Sequence, residues 1–383
     1  MLPLAGVKVI EFCQVLAGPF CGCLLADMGA DVIKVEPPDG GDLMRQWPPL
    51  LDGYSQYFAS VNRNKRSVVL NLKDDSEKDA ARTLVLSADV VIENFRPGVM
   101  ARFGLDHATL AKAKPELVYC SVSAFGQSGP RSADGGFDMT VQAMSGVMSV
   151  TGEPDGRPAK CGIPIADFTA GLYAAFSIAA ALYKVRGGEA GEHIDVSMLG
   201  AMLGIAHLQT SELFGTGRDP VRLGSAHPMN APYAAFRCRD GYFALAAGTD
   251  RLWQAACEGI ERPDLAEDPR FSSPALRARN QDVLREVLEA EFIRHDAATL
   301  LRTFTARGVP CAPINRYSEV LADPQVEHMG WIGDIALPGG AATRTLISPQ
   351  QISGQRLGVY RNPPALGEHT AEVLAEIGIS HAA

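Results

Sequence analysis

The first third of the chain alternates short apolar runs with segments of small and mixed residues. Val7–Phe12 reads as a buried strand, Gly18–Met28 as a helix of small residues closed by Gly29, and Asp31–Glu36 as a second strand. A strand–helix–strand unit of this kind opens a parallel sheet. Ser67–Leu72 reads as a strand again, Glu77–Ser87 as a helix, and Val90–Glu93 and Leu117–Val122 as two further strands. The alternation predicts an α/β fold, an open Rossmann-like large domain.

Further along, Phe137–Val150 and Phe168–Arg186 read as helices, His193–Met198 as a strand, and the residues through Phe214 as another helix. Gly215–Pro232 is rich in Gly, Pro, Arg and His and reads as a loop. Tyr233–Cys238 and Tyr242–Ala246 form a hairpin signal about Asp240-Gly241, because Asp-Gly suits a tight primed turn. Helices are expected near Arg251–Gly259, Arg279–Arg294 and Ala297–Arg307. A chain of 383 residues exceeds one ordinary core. The expected organisation is a large α/β domain over 1–200, a linker over 201–232 and a smaller α+β domain over 233–325. A C-terminal return over 326–383 carries a last helix, Glu368–Ile377.

Charge narrows the function. The net charge is -9, so a general nucleic-acid footprint is absent and no nucleic-acid partner is expected. The N-terminus lacks a basic region followed by an apolar run, and Leu172–Tyr183, the longest apolar stretch, is too short to span a bilayer. The expectation is a soluble, cytoplasmic protein without a membrane partner. The eight cysteines lie in apolar contexts without a C-x-x-C, which predicts buried free thiols. Cys21 and Cys23 point to different sides of a helix and make a poor metal clamp, and no H-E-x-x-H occurs. No metal site is expected.

Several residues carry candidate chemistry. The turn Gln14–Pro19 follows the first strand and opens a helix, where backbone N–H groups bind anions. Glu36 ends the second strand as the acidic ribose partner of a dinucleotide fold does, yet G-x-G-x-x-G is missing and an NAD site is disfavoured. Two basic clusters, Asn62–Arg66 with Lys73, and Asn94–Gly98 with Arg102, lie beside predicted strand ends or helix starts. Several cations beside Phe95 would suit a phosphate and an adenine ring, and a solvated surface is the plain alternative. Gly126–Pro130 does not match G-x-S-x-G, so serine hydrolase chemistry is disfavoured. Asp167 opens an apolar helix. It reads as an N-cap, kept ionised by the helix start, and a charged carboxylate there is also what covalent acyl catalysis needs.

Taken together, Val15–Pro19, Gly29–Glu36, Asn62–Ser67, Glu93–Gly98, Gly126–Pro130, Asp167 before its helix, Gly308–Ile314 and Leu366–Thr370 resemble one family. It is the class III CoA-transferases, which include formyl-CoA and carnitine CoA-transferases and the α-methylacyl-CoA racemases. The likeness runs in order along nearly the whole chain. It implies a large α/β domain built from both chain ends, a smaller domain from the middle, and a homodimer of two interlocked rings. It implies an aspartate nucleophile, matched by Asp167, and coenzyme A as substrate with no tightly bound cofactor. The implied CoA contacts fall on Leu16 and Ala17, on Leu70, Asn71, Leu72 and Lys73, on Asn94, Phe95 and Arg96, and on Arg102.

Two departures matter. The racemase branch uses a His-Asp pair where this chain has Phe137-Asp138, and phenylalanine moves no proton. Formyl-type enzymes carry a glutamine where Leu16 stands and a glycine-rich loop. Here the loop is Gly224–Asn230, with His227 and Asn230 as candidates for acid recognition. The chain looks most similar to the branch that passes CoA from succinyl-CoA to dicarboxylic acids such as glutarate or citramalate. Arg45, Arg222 and His227 are candidates for the acceptor's far carboxylate. A racemase and a CoA-binding protein without turnover are the rival readings.

Overall fold

The strand Lys8–Phe12 (β1) sends Val9 into one hydrophobic core and Ile10 and Phe12 into another. The same two-residue period divides Val32 from Ile33 in Asp31–Glu36 (β2). Lys65–Val69 (β3), Val90–Glu93 (β4), Val118–Ser123 (β5) and His193–Ser197 (β6) complete a six-stranded sheet. Its order is β3-β2-β1-β4-β5-β6, parallel throughout. Strands covered on both faces read as continuous apolar runs, which is why β2 and β4 were legible to the residue.

Helices cover both faces. Ala17–Asp27 (α1) and Ile165–Arg186 (α4) bury Cys21, Leu25, Ala170, Ala174 and Ile178 on one side. Asp75–Leu86 (α2) and the C-terminal helix Thr370–Glu376 bury Leu84, Val85, Val373 and Leu374 on the other. Two further helices, Asp138–Met144 (α3) and Met198–Gly204 (α5), lie on the α4 side. At Gly171 an added Cβ would stand 2.8 Å from the Ala17 carbonyl oxygen, so a side chain there would hold α1 and α4 apart. Phe20 meets Phe168 edge-on at 4.8 Å in the same contact.

This is a computed structural model, and it describes residues 1–379. The chain divides into two compact units. The first holds 1–147, 160–211 and the chain from Pro324 on, and the second holds 148–159 and 212–323. In the second, Tyr233–Cys238, Gly241–Ala246 and Cys311–Pro313 form an antiparallel sheet. Helices Asp250–Gly259, Gln281–Phe292 and Ala297–Ala306 pack around Phe243, Phe292 and Phe304.

Several boundaries differ from expectation for local reasons. Gly241 pairs with Cys238, so the hairpin turn falls on Arg239-Asp240, one residue early. The helix expected over Phe137–Val150 breaks at Gly146, which takes φ +84°. Residues 201–232 are partly helical, since Met198–Gly204 and His207–Thr216 run into them. β3 starts at Lys65 rather than Ser67, because ion pairs let charged residues enter the sheet. α4 extends over 22 residues, and by length and composition alone it could cross a membrane, contrary to the shorter stretch read from the sequence. It buries one face against α1 and the sheet and carries Asp167 in its first turn.

Candidate active site

In a parallel sheet, ligands bind at the carboxyl edge where the strand order reverses. Here that point lies between β1 and β4, since β2 and β3 extend to one side and β5 and β6 to the other. The loops leaving β1 and β4 are tied together: the Asn94 side chain accepts from Gln14 N–H at 2.8 Å and donates to the Gln14 carbonyl at 2.8 Å. α1 starts immediately after, with Leu16 at its N-cap and no side chain capping the first turn, so its N–H groups are left for a ligand.

A cavity of about 430 Å³ opens at this point. Of the residues singled out in the sequence, Leu16, Ala17, Asn94, Phe95, Arg96, Phe137 and Asp167 line it. Gln14 and Val15, from the turn read as an anion site, line it too, and Ser123 and Ala124 line it without having been anticipated. Ser123 and Ala124 follow from the switch-point rule once β5 is placed beside β4. Phe137 is 76% exposed and presents a bare ring where a histidine would present a base.

Asp167 is the third residue of α4, and the N-cap position belongs to Pro164. Asp167 is therefore not the cap that the sequence suggested. Asp138 serves the helix start instead, accepting the Ala166 N–H at 2.9 Å while its other oxygen accepts from Gln142 at 2.7 Å. Nor is Asp167 held firmly ionised. Burial first, and the nearby Asp138 charge second, push its carboxyl up to about 7. The positive helix end opposes this by only about 0.3–1 kcal/mol, too little to offset a shift of that size. A half-desolvated carboxylate without a cation partner is a stronger nucleophile than one held in an ion pair.

The basic residues fall into two sets. Lys73, Arg96 and Arg102 are exposed, and their side chains make no ion pair among the described residues. Arg96 lies over Gly135, where a Cβ would come within 2.6 Å of the guanidinium. By contrast, the Asn62–Arg66 cluster is spent inside the fold. Arg63 pairs with Asp27 at 2.5 Å, Lys65 with Glu11 at 2.8 Å, and Arg66 with Asp31, Glu372 and Glu376. That cluster is not a phosphate site, since its charges are already neutralised by carboxylates from distant segments. Glu36, read as a ribose partner, is likewise occupied, by Arg45, Ser67 and the Asp42 N–H.

Leu70, Asn71, Leu72 and Lys73 follow β3 on the same sheet edge but do not line the cavity. Leu70 is buried and donates its N–H to the Glu36 carbonyl, and Asn71 bonds Glu77 and the Lys73 N–H. Arg102 ends the short helix Val99–Arg102 after β4. Asp138 does not line the cavity; its carboxylate is taken up by the Ala166 N–H and the Gln142 amide. Of the candidates for the acceptor's far carboxylate, Arg45 is bound to Glu36 and Arg222 to the carbonyls of Glu153, Pro154 and Gly156. His227 and Asn230 belong to the second unit. There His227 accepts from the Met229 N–H at 3.1 Å, and Asn230 packs on Gly248.

None of the eight cysteines is paired, and six are buried. Among the described residues no group of three or more His, Cys, Asp or Glu is placed to hold a metal ion.

Comparison with known proteins is consistent over the whole chain. The family described as CoA-transferase family III matches residues 4–370. The chain is 41% identical to a succinate–glutarate CoA-transferase of Agrobacterium fabrum, across 98% of this chain and 96% of that protein. It is 40% identical to an acetyl-CoA:oxalate CoA-transferase of Acetobacter aceti, across 92% and 90%. A crystal structure of a CaiB/BaiF family protein from Brucella suis superposes with a TM-score of 0.87 at 38% identity, covering 98% of this chain and 99% of that one.

Proposed function

The chain belongs to CoA-transferase family III, and on that premise we propose that it moves coenzyme A from succinyl-CoA to a small dicarboxylic acid through covalent intermediates on Asp167. The observation that carries this reading is the position of Asp167. Among the described residues it is a carboxylate without a cation partner, on the wall of a cavity that also holds the uncapped start of α1, Phe95 and Arg96, which makes no ion pair among those residues.

In the proposed sequence an Asp167 oxygen attacks the thioester carbonyl, the C–S bond breaks, and CoA leaves as thiolate, giving a mixed anhydride. The thiolate attacks the Asp167 carbonyl carbon, releasing the first acid as carboxylate and leaving an aspartyl-CoA thioester. A carboxylate oxygen of the acceptor attacks that thioester, which restores an anhydride and a thiolate. The thiolate then attacks the acceptor's acyl carbon, giving the new acyl-CoA and free Asp167. No proton is gained or lost, so the site needs no acid/base pair. Developing oxyanions would be met by backbone N–H groups at the start of α1, and the CoA phosphates by the cations of the sheet edge.

The relatives' names support both a longer and a shorter dicarboxylate acceptor, glutarate in one and oxalate in the other. The test is a panel of acyl-CoA donors and mono- and dicarboxylic acids read by mass spectrometry, with hydroxylamine added to trap Asp167 as a hydroxamate. Transfer without any modification at Asp167 would refute the covalent route. Phe137 on the cavity wall argues against the racemase alternative, which predicts deuterium wash-in at the α-carbon without an acceptor acid. A homodimer of interlocked rings remains part of the proposal. Phe176 and Tyr183 on α4, 74% and 85% exposed, supply apolar surface that a second copy would cover, and light scattering measures the mass.

A further inference from the structure

Val15 takes φ +65°, the left-handed region that β-branched residues avoid. Its surroundings hold it there from two sides. Asp42 accepts the Val15 N–H with both carboxylate oxygens, at 3.0 and 3.2 Å, and accepts the Met44 N–H at 2.9 Å. Lys34 is wholly buried and donates to Asp42 at 2.9 Å, to Glu11 at 3.0 Å and to the Cys13 carbonyl at 2.6 Å, which uses all three ammonium hydrogens. From the other side the Asn94 amide closes both hydrogen bonds of Gln14. Cys13, Gln14 and Val15 are thus pinned in succession by β2, by the residue after β4 and by the Asp42 loop. The next two residues, Leu16 and Ala17, line the cavity and start α1.

The sheet does not require this arrangement. A buried ion pair gives little stability relative to apolar packing of the same volume, and backbone strain persists only where its surroundings over-determine it. Strain of that kind concentrates at ligand sites. We infer that Asp42 and Lys34 are positioning residues for CoA transfer, holding Val15 in its left-handed turn so that the Leu16–Ala17 backbone is set for the bound acyl-CoA. The inference rests on the reading of the cavity as the CoA site. Asp42 and Lys34 do not line the cavity and act through the turn.

A double-mutant cycle tests it, with the affinity for free CoA measured by calorimetry on wild type, Asp42→Asn, Val15→Gly and the double variant. Asparagine keeps the size of Asp42 and weakens the anchor. Glycine takes positive φ without strain, so it removes the need for the anchor. In the wild-type background D42N is expected to weaken CoA binding about tenfold or more, the order of effect of a strained backbone well. In the V15G background the same change is expected to cost less than about threefold, a coupling that contacts through a shared backbone produce. Additive effects, with D42N lowering the melting temperature equally in both backgrounds, would mean a merely structural role and overturn the inference. D42N binding CoA as wild type does would overturn it too. Wild-type protein that binds no CoA at millimolar concentration would remove the cavity reading and the inference together, which separates the two failures.

Discussion

Replacing Asp167 by asparagine should make the protein more stable and nearly inactive at once. The carboxyl is raised from 3.8 to about 7 by burial and by Asp138, so the folded state disfavours its charge. At 1.36 kcal/mol for each pH unit, that rise sets a ceiling of about 4 kcal/mol. Partial solvent access and the positive end of α4 reduce it to a realised effect of about 1–2 kcal/mol. The sign follows from proton counting. Between pH 4 and pH 7 the folded state binds more protons at this site than the unfolded state, so stability falls as pH rises through that window and stays reduced above it. Asparagine carries no such charge. Melting curves of the two proteins from pH 4 to pH 8 should coincide at the acid end and separate by roughly 2–4 °C at pH 7.5, with the variant higher. Transfer activity of the same variant should fall by at least about 10³-fold, as loss of a nucleophile does. A variant that melts lower at pH 7.5, or a separation that ignores pH, would refute the electrostatic account. A variant that transfers CoA at the wild-type rate would refute the nucleophile.

Asp138→Asn removes the second cause of the raised carboxyl, so the acid limb of the kcat/KM profile should move to lower pH. Weakening the Ala166 and Gln142 hydrogen bonds should cost about 1 kcal/mol in denaturant melts. Arg96→Ala should weaken CoA binding in calorimetry and flatten its salt dependence while leaving the melting temperature unchanged, because the side chain is exposed and unpaired. Arg66→Ala should do the reverse, lowering stability by about 1–2 kcal/mol with CoA affinity retained, because three carboxylates that keep access to water would lose their shared cation. Gly171→Ala should cost about 1–3 kcal/mol in melting experiments and slow transfer, since its methyl would press on Ala17 and Phe20 and push α1 away from α4.

The two basic clusters show where reading the sequence stops. Both looked like phosphate sites, and both lie near strand ends. Arg63, Lys65 and Arg66 meet carboxylates that are 36, 54 and as many as 310 positions away in the chain. Arg96 meets none. No local pattern separates a neutralised cation from a free one, because the neutralising partner comes from another strand, from α1 or from the C-terminal helix. Asp167 illustrates the same limit. Its place at the start of an apolar helix was legible, but its raised carboxyl comes first from burial and second from Asp138 on a different helix, and the capping role passed to that residue. Val15 was legible as part of the Gln14–Pro19 turn, but its conformation was not, since nothing local announces a valine held at positive φ.

What the sequence determined by itself is the alternation of strands and helices. Apolar runs at β2 and β4, and the small-residue helices between strands, are local consequences of burial on both faces of a parallel sheet. It also determined the family, because motifs spaced along the whole chain agree. Tertiary structure alone decided which charges remain free, which carboxylate serves the start of α4 and which one has its charge disfavoured by burial. It also decided how the turn before α1 is held. Those properties depend on distances between residues far apart in the chain and on the water excluded between them, and neither quantity is local to any stretch of sequence.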